Sequence, residues 1–230
     1  MSLFPVASEQ PTMRPAIANL TIIGLNVFVF LLEMLLGDSF IEAWAFTPAQ
    51  LTAFLHGSGS FQSVLTIFTS MFMHAGWSHL FGNMLFLWVF GQAIENAFGS
   101  RLYTLFYLIC GVAANMAQYL VDPNSTVLNL GASGAIAGVM GAYLALYPTS
   151  TIDLFVWPLS LFSQRDIRAP AWLMLGLWFA VQVILGGNGM PEASAAGGVA
   201  YWAHIGGFIT GLVLALLVRP GQRRMLSAAW

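Results

Sequence analysis

Ser133 and His204 are the side chains of this chain best suited to nucleophilic catalysis. Imidazole is the usual base for a serine hydroxyl because its pKa lies near neutral. Ser133 stands in the segment GASG, where glycine on both sides lets backbone and substrate approach closely. A serine at a helix N-terminus also lies beside exposed amide N–H groups, which would stabilise an oxyanion. Ser133 and His204 are therefore the candidate nucleophile and general base.

Both residues also have ordinary structural interpretations. Serine is a common N-cap residue, and a histidine inside a membrane helix can join two helices by hydrogen bonds. The pattern Gly-x-Ser-Gly is short and weak by itself. On the motifs alone, these alternatives stay open.

A second group of polar residues precedes them in the chain. His79 and Asn83 are four residues apart, so they share a helical face. Both can donate hydrogen bonds to an oxyanion, and the alternative is hydrogen bonding between helices. His74 is poorly spaced for the same face, so we expect a structural role at the end of a loop. We also expect a structural role for Glu95, as a cap or partner near Arg101.

The composition predicts a membrane protein. Hydrophobic residues make up 58% of the 230 residues and charged residues only 7%, against about 25% charged in soluble domains. The net charge of −2 gives no indication of nucleic-acid binding. Cys110 is the only cysteine, so no disulfide can form within the chain.

Apolar length predicts an all-α membrane protein built as a bundle of six transmembrane helices. A segment at 1–16 would precede the membrane domain at 17–218, and a tail at 219–230 would follow it. The mixed segment Gly37–Ser78 is expected to lie in the membrane interface. The six spans run roughly over Ala18–Leu36, His79–Ala97, Leu102–Val121, Ser133–Tyr147, Ala171–Leu185 and Tyr201–Val218.

The arginines indicate the orientation of the bundle. All seven basic residues are arginines, and they fall before span one, between spans two and three, between spans four and five, or after span six. The positive-inside rule then places both termini in the cytoplasm. In that orientation four polar residues lie at one depth near the outer face: Ser133, His204, His79 and Asn83.

The fourth span is short, and its faces are rich in small residues. Its fifteen residues extend about 22 Å at 1.5 Å per residue, against a hydrocarbon core of about 30 Å. The helix is therefore either flanked by thinned bilayer or starts below the outer surface, and in the second case the preceding loop must be buried in protein or line a water-filled cavity. Glycines at 134, 138 and 141 of this span, and at 207 and 211 of span six, favour close packing of the two helices.

Other site chemistries lack their residues. The chain has no His-Glu-x-x-His motif for an intramembrane zinc protease. Asp38 has no second intramembrane aspartate as partner. Since no carboxylate lies near the outer cluster, a serine hydrolase built on these residues would use a Ser–His dyad. No metal site and no cofactor are predicted.

Together these features resemble the rhomboid family of intramembrane serine proteases, over about residues 17–218. The segments that carry the resemblance are modest alone and highly specific in this order on spans two, four and six. They are HAGWSHLFGN from His74 to Asn83, the pattern G-x3-E-x3-G from Gly91 to Gly99, GASG from Gly131 to Gly134, and AHIGG from Ala203 to Gly207.

The resemblance implies an intramembrane serine endopeptidase with Ser133 as nucleophile and His204 as base. Its substrates would be single-span membrane proteins, cleaved near the outer membrane boundary. His79, Asn83 and the Ser133 backbone amide would form the oxyanion hole. Gly131 would shape the active-site loop, to which Gly134 also belongs.

The resemblance also concerns the loops, whereas the location is inferred from six spans without transit features. The segment Gly37–Ser78 matches the family's outer loop, and Gly186–Ala200 matches a mobile cap over the site. The expected partners are transmembrane substrates and membrane lipid, and the expected location is a bacterial cytoplasmic membrane. One departure is the missing Trp-Arg pair of many relatives, where this chain has Gln62–Ser70. The resemblance therefore makes no prediction for the stability of the outer loop or for its contact with lipid.

Two other function classes remain as alternatives. A rhomboid-like scaffold that binds client spans without cleaving them usually lacks the serine or the histidine, and this chain has both. A small transporter or channel would need polar residues that continue across the membrane, and beyond the outer cluster only Glu95 does so.

Overall fold

The computed structural model describes residues 2–10, 15–157, 167–188 and 199–227. Helices dominate these parts of the chain. They are α1 Ile17–Leu36, α2 Asp38–Trp44, α3 Pro48–Leu55, α4 Gln62–Thr69, α5 Trp77–Phe86, α6 Gln92–Phe98, α7 Ser100–Val121, α8 Ser133–Leu146, α9 Ala171–Gly187 and α10 Tyr201–Ser227. A 3₁₀ turn at Ser70–Phe72 follows α4, and a π-helical segment at Leu87–Gly91 joins α5 to α6.

Within the described parts of the chain, three helices are long and apolar enough to cross a membrane: α1, α7 and the Tyr201–Val218 part of α10. α8 and α9 are shorter apolar helices. α5, the π segment and α6 form one helical run, because the residues at both junctions keep α-helical backbone angles. Each predicted span thus has a helical counterpart, while the number of spans and the side of each terminus remain predictions.

A three-stranded antiparallel sheet corrects the all-α expectation. Its strands are β1 Ser2–Ser8, β2 Thr151–Trp157 and β3 Ile167–Pro170, in the order β1-β2-β3. Residues 1–16 were expected to form only a polar N-terminal segment. Pro5 is tolerated because β1 is an edge strand, whose register shifts between Pro5 and Ala7. β2 begins shortly after α8 ends, so the sheet lies at the end of α8 opposite Ser133.

α8 lies at the centre of the bundle and packs closely against α10. Ten consecutive residues of α8, from Gly134 to Tyr143, are buried. A Cβ at Gly207 would collide with the carbonyl oxygen of Gly134, and a Cβ at Gly211 would collide with that of Gly138. The helix backbones therefore touch where the glycines predicted close packing, and this contact brings His204 beside the start of α8.

A polar network at the far end of the α5–α6 run connects α1, α6 and α7. The Glu95 carboxylate accepts hydrogen bonds from the backbone amides of Ala18 (3.0 Å) and Asn19 (2.7 Å) and from the Ser100 hydroxyl (2.6 Å). These amides belong to the first turn of α1, where N–H groups lack intrahelical partners. Glu95 therefore caps α1, which fits its predicted structural role.

The π-helical segment meets the same network. The Leu87 carbonyl accepts a hydrogen bond from Asn19 Nδ2 (3.0 Å), and Asn19 Oδ1 accepts one from the Tyr103 hydroxyl (2.6 Å). Gly91 permits this approach, because a Cβ there would lie 2.7 Å from the Tyr103 oxygen and collide with Asn19 Oδ1. Every side chain of this cluster has a partner for its polar atoms.

Candidate active site

Ser133 and His204 lie within hydrogen-bonding distance. Ser133 Oγ is 2.8 Å from His204 Nε2. Ser133 is the first residue of α8, and His204 lies in the first turn of α10. Both side chains are half-buried. The two residues are 71 positions apart in sequence, so the glycine contacts of α8 and α10 create this pair.

The loop before Ser133 is held by the segment that follows α4. Gly131 N donates to the Ser70 carbonyl (2.9 Å). Asn129 pairs through its backbone with Phe46 and donates through Nδ2 to Asn115 Oδ1 (2.9 Å). The buried Asn115 also donates to Ser70 Oγ (3.0 Å). The loop before the short α8 is therefore anchored in protein, as the short fourth span predicted.

His79 presents one ring nitrogen to the same place. Its Nδ1 accepts a hydrogen bond from the Ala75 amide (3.4 Å), so the ring proton of a neutral His79 resides on Nε2. A Cβ at Gly131 would lie 3.0 Å from this Nε2 and 3.5 Å from Ser133 Oγ. Gly131 also has φ +136°, which favours glycine. Because Gly131 has no side chain, the space between His79 and Ser133 is not filled.

Asn83 adds an unpaired donor. Its side chain is buried, yet its Nδ2 has no hydrogen-bond partner among the described residues. Such a group costs free energy unless something binds to it. The Ser133 amide lies in the first turn of α8, where the helix offers it no acceptor. Three candidate donors thus belong to residues that line one cavity: His79 Nε2, Asn83 Nδ2 and Ser133 N.

A cavity of about 1160 Å³ joins these groups. Ser133, His204, His79 and Asn83 all line it. Its remaining wall includes residues of α2, α5, α7, α8, α9, α10 and the loop before Ser133. Asp38 and Glu42 are among them, so the expectation that no carboxylate lies near the outer cluster does not hold for the cavity as a whole. A peptide segment and water therefore have room beside Ser133.

His74 and Glu33 lie behind the site. The His74 amide donates to both oxygens of the Glu33 carboxylate (3.1 Å each), and both residues are buried. This backbone donor accounts for the inward position of the Glu33 carboxylate. Burial, together with the neighbouring His79, lowers the pKa of His74 to about 3, so its imidazole is neutral. The His74 and His79 rings meet edge to face with centroids 5.2 Å apart.

Sequence reasoning missed two residues that contact His204. Gln182 Oε1 lies 2.8 Å from His204 Nδ1, and the Trp178 ring centroid lies 5.6 Å from that of His204. Both belong to α9. A polar residue inside an apolar helix is costly in a membrane. This rule, applied to α9, could have identified Gln182 from the sequence. Glu95 lies at the other end of the α5–α6 run and takes no part in the site.

The predicted cap, Gly186–Ala200, falls largely outside the described residues, which omit 189–198. At its two ends, α9 closes with Gly187 and α10 opens with Tyr201. Val199 and Ala200 line the cavity.

The sequence also matches a model of the rhomboid domain over residues 62–221. The chain belongs to the rhomboid family. The match includes α5, α8 and α10, and thus every residue that the family pattern assigns to the site. The predicted family membership is confirmed.

Several curated rhomboid proteins are similar to the chain. Rhomboid protein 1, mitochondrial, of Saccharomyces cerevisiae is 28% identical over 90% of this chain and 56% of its own length. Rhomboid-like protein 11, chloroplastic, of Arabidopsis thaliana is 32% identical over 65% and 51%. Rhomboid protease GluP of Bacillus subtilis is 32% identical over 70% and 28%.

These relatives differ in length and location. The chain spans at most about half the length of the three relatives named, with 56%, 51% and 28% covered. The names include mitochondrial and chloroplastic proteins, so they do not support a bacterial cytoplasmic membrane over an organelle membrane. The long apolar helices indicate an integral membrane protein.

Proposed function

We propose that this chain is an intramembrane serine endopeptidase that cleaves single-span membrane proteins with a Ser133–His204 dyad. The observation that carries the proposal is the 2.8 Å separation of Ser133 Oγ and His204 Nε2 at the wall of a cavity. The rhomboid family membership supports it, since the family consists generally of intramembrane serine proteases.

In the proposed reaction, Ser133 Oγ–H gives its proton to His204 Nε2 while Oγ attacks the carbonyl carbon of the scissile peptide bond. The carbonyl oxygen becomes an oxyanion in the tetrahedral intermediate. When the intermediate collapses, the C–N bond breaks and the imidazolium gives its proton to the leaving amine. An acyl-enzyme remains, and water activated by His204 hydrolyses it to the acid and free Ser133.

The oxyanion would be stabilised by His79 Nε2–H, Asn83 Nδ2–H and the Ser133 amide. Unpaired donors already held in place need little reorganisation during the reaction, which is the largest contribution in many acyl-transfer enzymes. The buried Nδ2 of Asn83 has no protein partner among the described residues. An incoming carbonyl oxygen would supply one.

The proposal includes a membrane arrangement. Six helical spans would place both termini on the side that carries the arginines, with Ser133 near the opposite face. Single cysteines test this arrangement in sealed vesicles, in a Cys110→Ala background. A membrane-impermeant thiol reagent is expected to label Ser39→Cys from one side and Ser227→Cys from the other. Labelling of both from the same side would overturn it.

The activity is tested with the purified protein in proteoliposomes that contain a single-span model substrate. Wild type is expected to cleave it, and Ser133→Ala and His204→Ala are expected to lose cleavage by on the order of 10³-fold or more. Ser39→Ala and His56→Ala are matched controls, since both residues are exposed and neither lines the cavity. Cleavage that survives Ser133→Ala would contradict the dyad, and its absence in wild type would favour a scaffold.

A further inference from the structure

Gln182 is a polar side chain in the middle of the apolar helix α9. Its side chain is 7% exposed, and lipid offers it no hydrogen bonds. Its Oε1 lies 2.8 Å from His204 Nδ1, on the side of the imidazole opposite the nitrogen that meets Ser133. The three side chains therefore form a line of hydrogen bonds, Gln182–His204–Ser133.

The rest of the Gln182 amide has its own partner. Gln182 Nε2 donates to the Trp178 carbonyl one turn earlier in α9 (3.5 Å). A flipped amide would bring two oxygens together there, so this bond favours Oε1 as the atom that faces His204. An amide oxygen only accepts hydrogen bonds. His204 Nδ1 must therefore carry the proton.

This assignment has a consequence at the nucleophile. A neutral imidazole has one N–H, and when it lies on Nδ1, Nε2 has a free lone pair. Nε2 is the nitrogen that must accept the Ser133 proton. In the other tautomer Nε2–H would donate to Ser133 Oγ, and Nε2 would have no lone pair to accept the Ser133 proton. Gln182 thus selects the tautomer in which His204 can act as a base.

Trp178 limits the motion of the same ring. Its indole lies over His204 with a centroid distance of 5.6 Å and an angle of 37° between the planes. Trp178 and Gln182 are four residues apart, so one face of α9 contacts the imidazole twice. The helix holds both the orientation of His204 and the location of its proton.

We propose that Gln182 is a positioning residue for His204, the neutral counterpart of the carboxylate that orients the base in a Ser–His–Asp triad. The inference rests on the proposed function for its catalytic meaning. Gln182 touches neither substrate nor the reacting atoms. It acts only through the imidazole, which it orients without placing a second charge inside the membrane.

The kinetic test uses Gln182→Leu and Gln182→Glu in proteoliposomes. Leucine is similar in size and cannot accept a hydrogen bond, so kcat is expected to fall roughly 10²-fold with KM within about twofold of wild type. Glutamate still accepts from Nδ1–H and is expected to restore most of kcat. Its charge stabilises the imidazolium, so the acidic limb of the pH–rate profile should move to higher pH. Gln50→Leu, at an exposed glutamine, is the matched control.

If Gln182 only stabilised the fold, Gln182→Leu would be less damaging than Gln182→Glu. An apolar leucine would be accepted in an apolar helix, and a buried glutamate would be the more damaging change. Wild-type kcat in Gln182→Leu, or loss of kcat in both variants with an unchanged pH profile in the residual activity, would overturn the proposal.

A spectroscopic measurement separates this inference from the proposed function. The chain has four histidines, so ¹⁵N NMR of labelled histidine, with His204 assigned by substitution, can be resolved. Wild type is expected to show a protonated Nδ1 at His204, and Gln182→Leu a mixture of tautomers. If wild type cleaves nothing but the tautomer still depends on Gln182, the proposed function fails and the contact stands. If the tautomer is the same in both proteins, Gln182 has no such role.

Discussion

Two buried polar clusters lie at opposite ends of the α5–α6 helical run, and they differ in how their hydrogen bonds are used. Around Glu95, each donor and acceptor meets a protein partner, through Ala18, Asn19, Ser100 and Tyr103. Around Ser133, Asn83 Nδ2 has no hydrogen-bond partner among the described residues, and Asn83 lines a cavity. A satisfied cluster stabilises the fold, whereas unpaired donors held in place are available to a ligand.

Removal of the Glu95 carboxylate is expected to have the largest effect on stability. Glu95→Ala leaves two backbone amides and a hydroxyl without an acceptor, so the free energy of unfolding should fall by about 3–5 kcal/mol. Glu95→Gln retains an acceptor and should lose less. The midpoint of thermal unfolding in detergent measures both, and the folded fraction should keep its activity. If Glu95→Ala and wild type are equally stable, the Glu95 cluster does not stabilise the fold and the comparison of the two clusters fails.

The corresponding change in the Ser133 cluster is Asn83→Ala. Loss of one oxyanion donor is expected to lower kcat by about 10²–10³-fold, or about 2.7–4 kcal/mol in activation free energy. The unfolding midpoint should stay near that of wild type, because the lost Nδ2 had no protein partner. Steady-state cleavage in proteoliposomes and thermal unfolding are measured on the same preparation. A large fall in midpoint with unchanged kcat would assign Asn83 to the fold.

Two glycine-to-alanine substitutions test what an added Cβ does in each cluster. Gly131→Ala introduces a Cβ 2.8 Å from His79 Cε1 at a backbone angle that favours glycine, so cleavage should be lost. Gly91→Ala introduces a Cβ that collides with Asn19 Oδ1, which should cost about 1–3 kcal/mol of stability. Cleavage rates and unfolding midpoints of both variants check the pair. The comparison fails if Gly131→Ala cleaves normally or if Gly91→Ala is inactive while folded.

The smallest effect is expected at the edge of the Glu95 cluster. Tyr103→Phe removes one hydrogen bond, from the Tyr103 hydroxyl to Asn19 Oδ1, and should cost about 1 kcal/mol. Leu102→Ile, at an exposed position of the same helix, is a control with no hydroxyl to lose. Denaturation of both variants in detergent measures the difference. Unchanged stability of Tyr103→Phe would show that this bond adds nothing to the network.

The sequence predicted the parts of the molecule that rest on hydrophobic length and on small residues. Apolar runs located the helices to within a few residues, and glycines at 134, 138, 207 and 211 predicted the contact of α8 with α10. That contact joins Ser133 to His204. The family assignment followed from the same motifs, and the domain match confirms it.

Features that depend on contacts between distant segments were not predicted. β1 pairs with β2 across about 150 residues, and its seven residues, SLFPVAS, show no alternation of apolar and polar side chains. The π-helical segment begins at Leu87, whose carbonyl accepts a hydrogen bond from the distant Asn19. Glu33 turns inward because the His74 amide faces it. Gln182 was passed over because α9 was identified by its apolar length alone.

The most direct test of the central claim is to locate the adduct of a fluorophosphonate by mass spectrometry of the intact membrane protein and its peptides. Nucleophilic activation of Ser133 by His204 predicts one adduct, on Ser133, that is absent in Ser133→Ala and strongly reduced in His204→Ala. Adduct formation on another residue with Ser133 unmodified, or equal labelling of wild type and His204→Ala, would contradict the account.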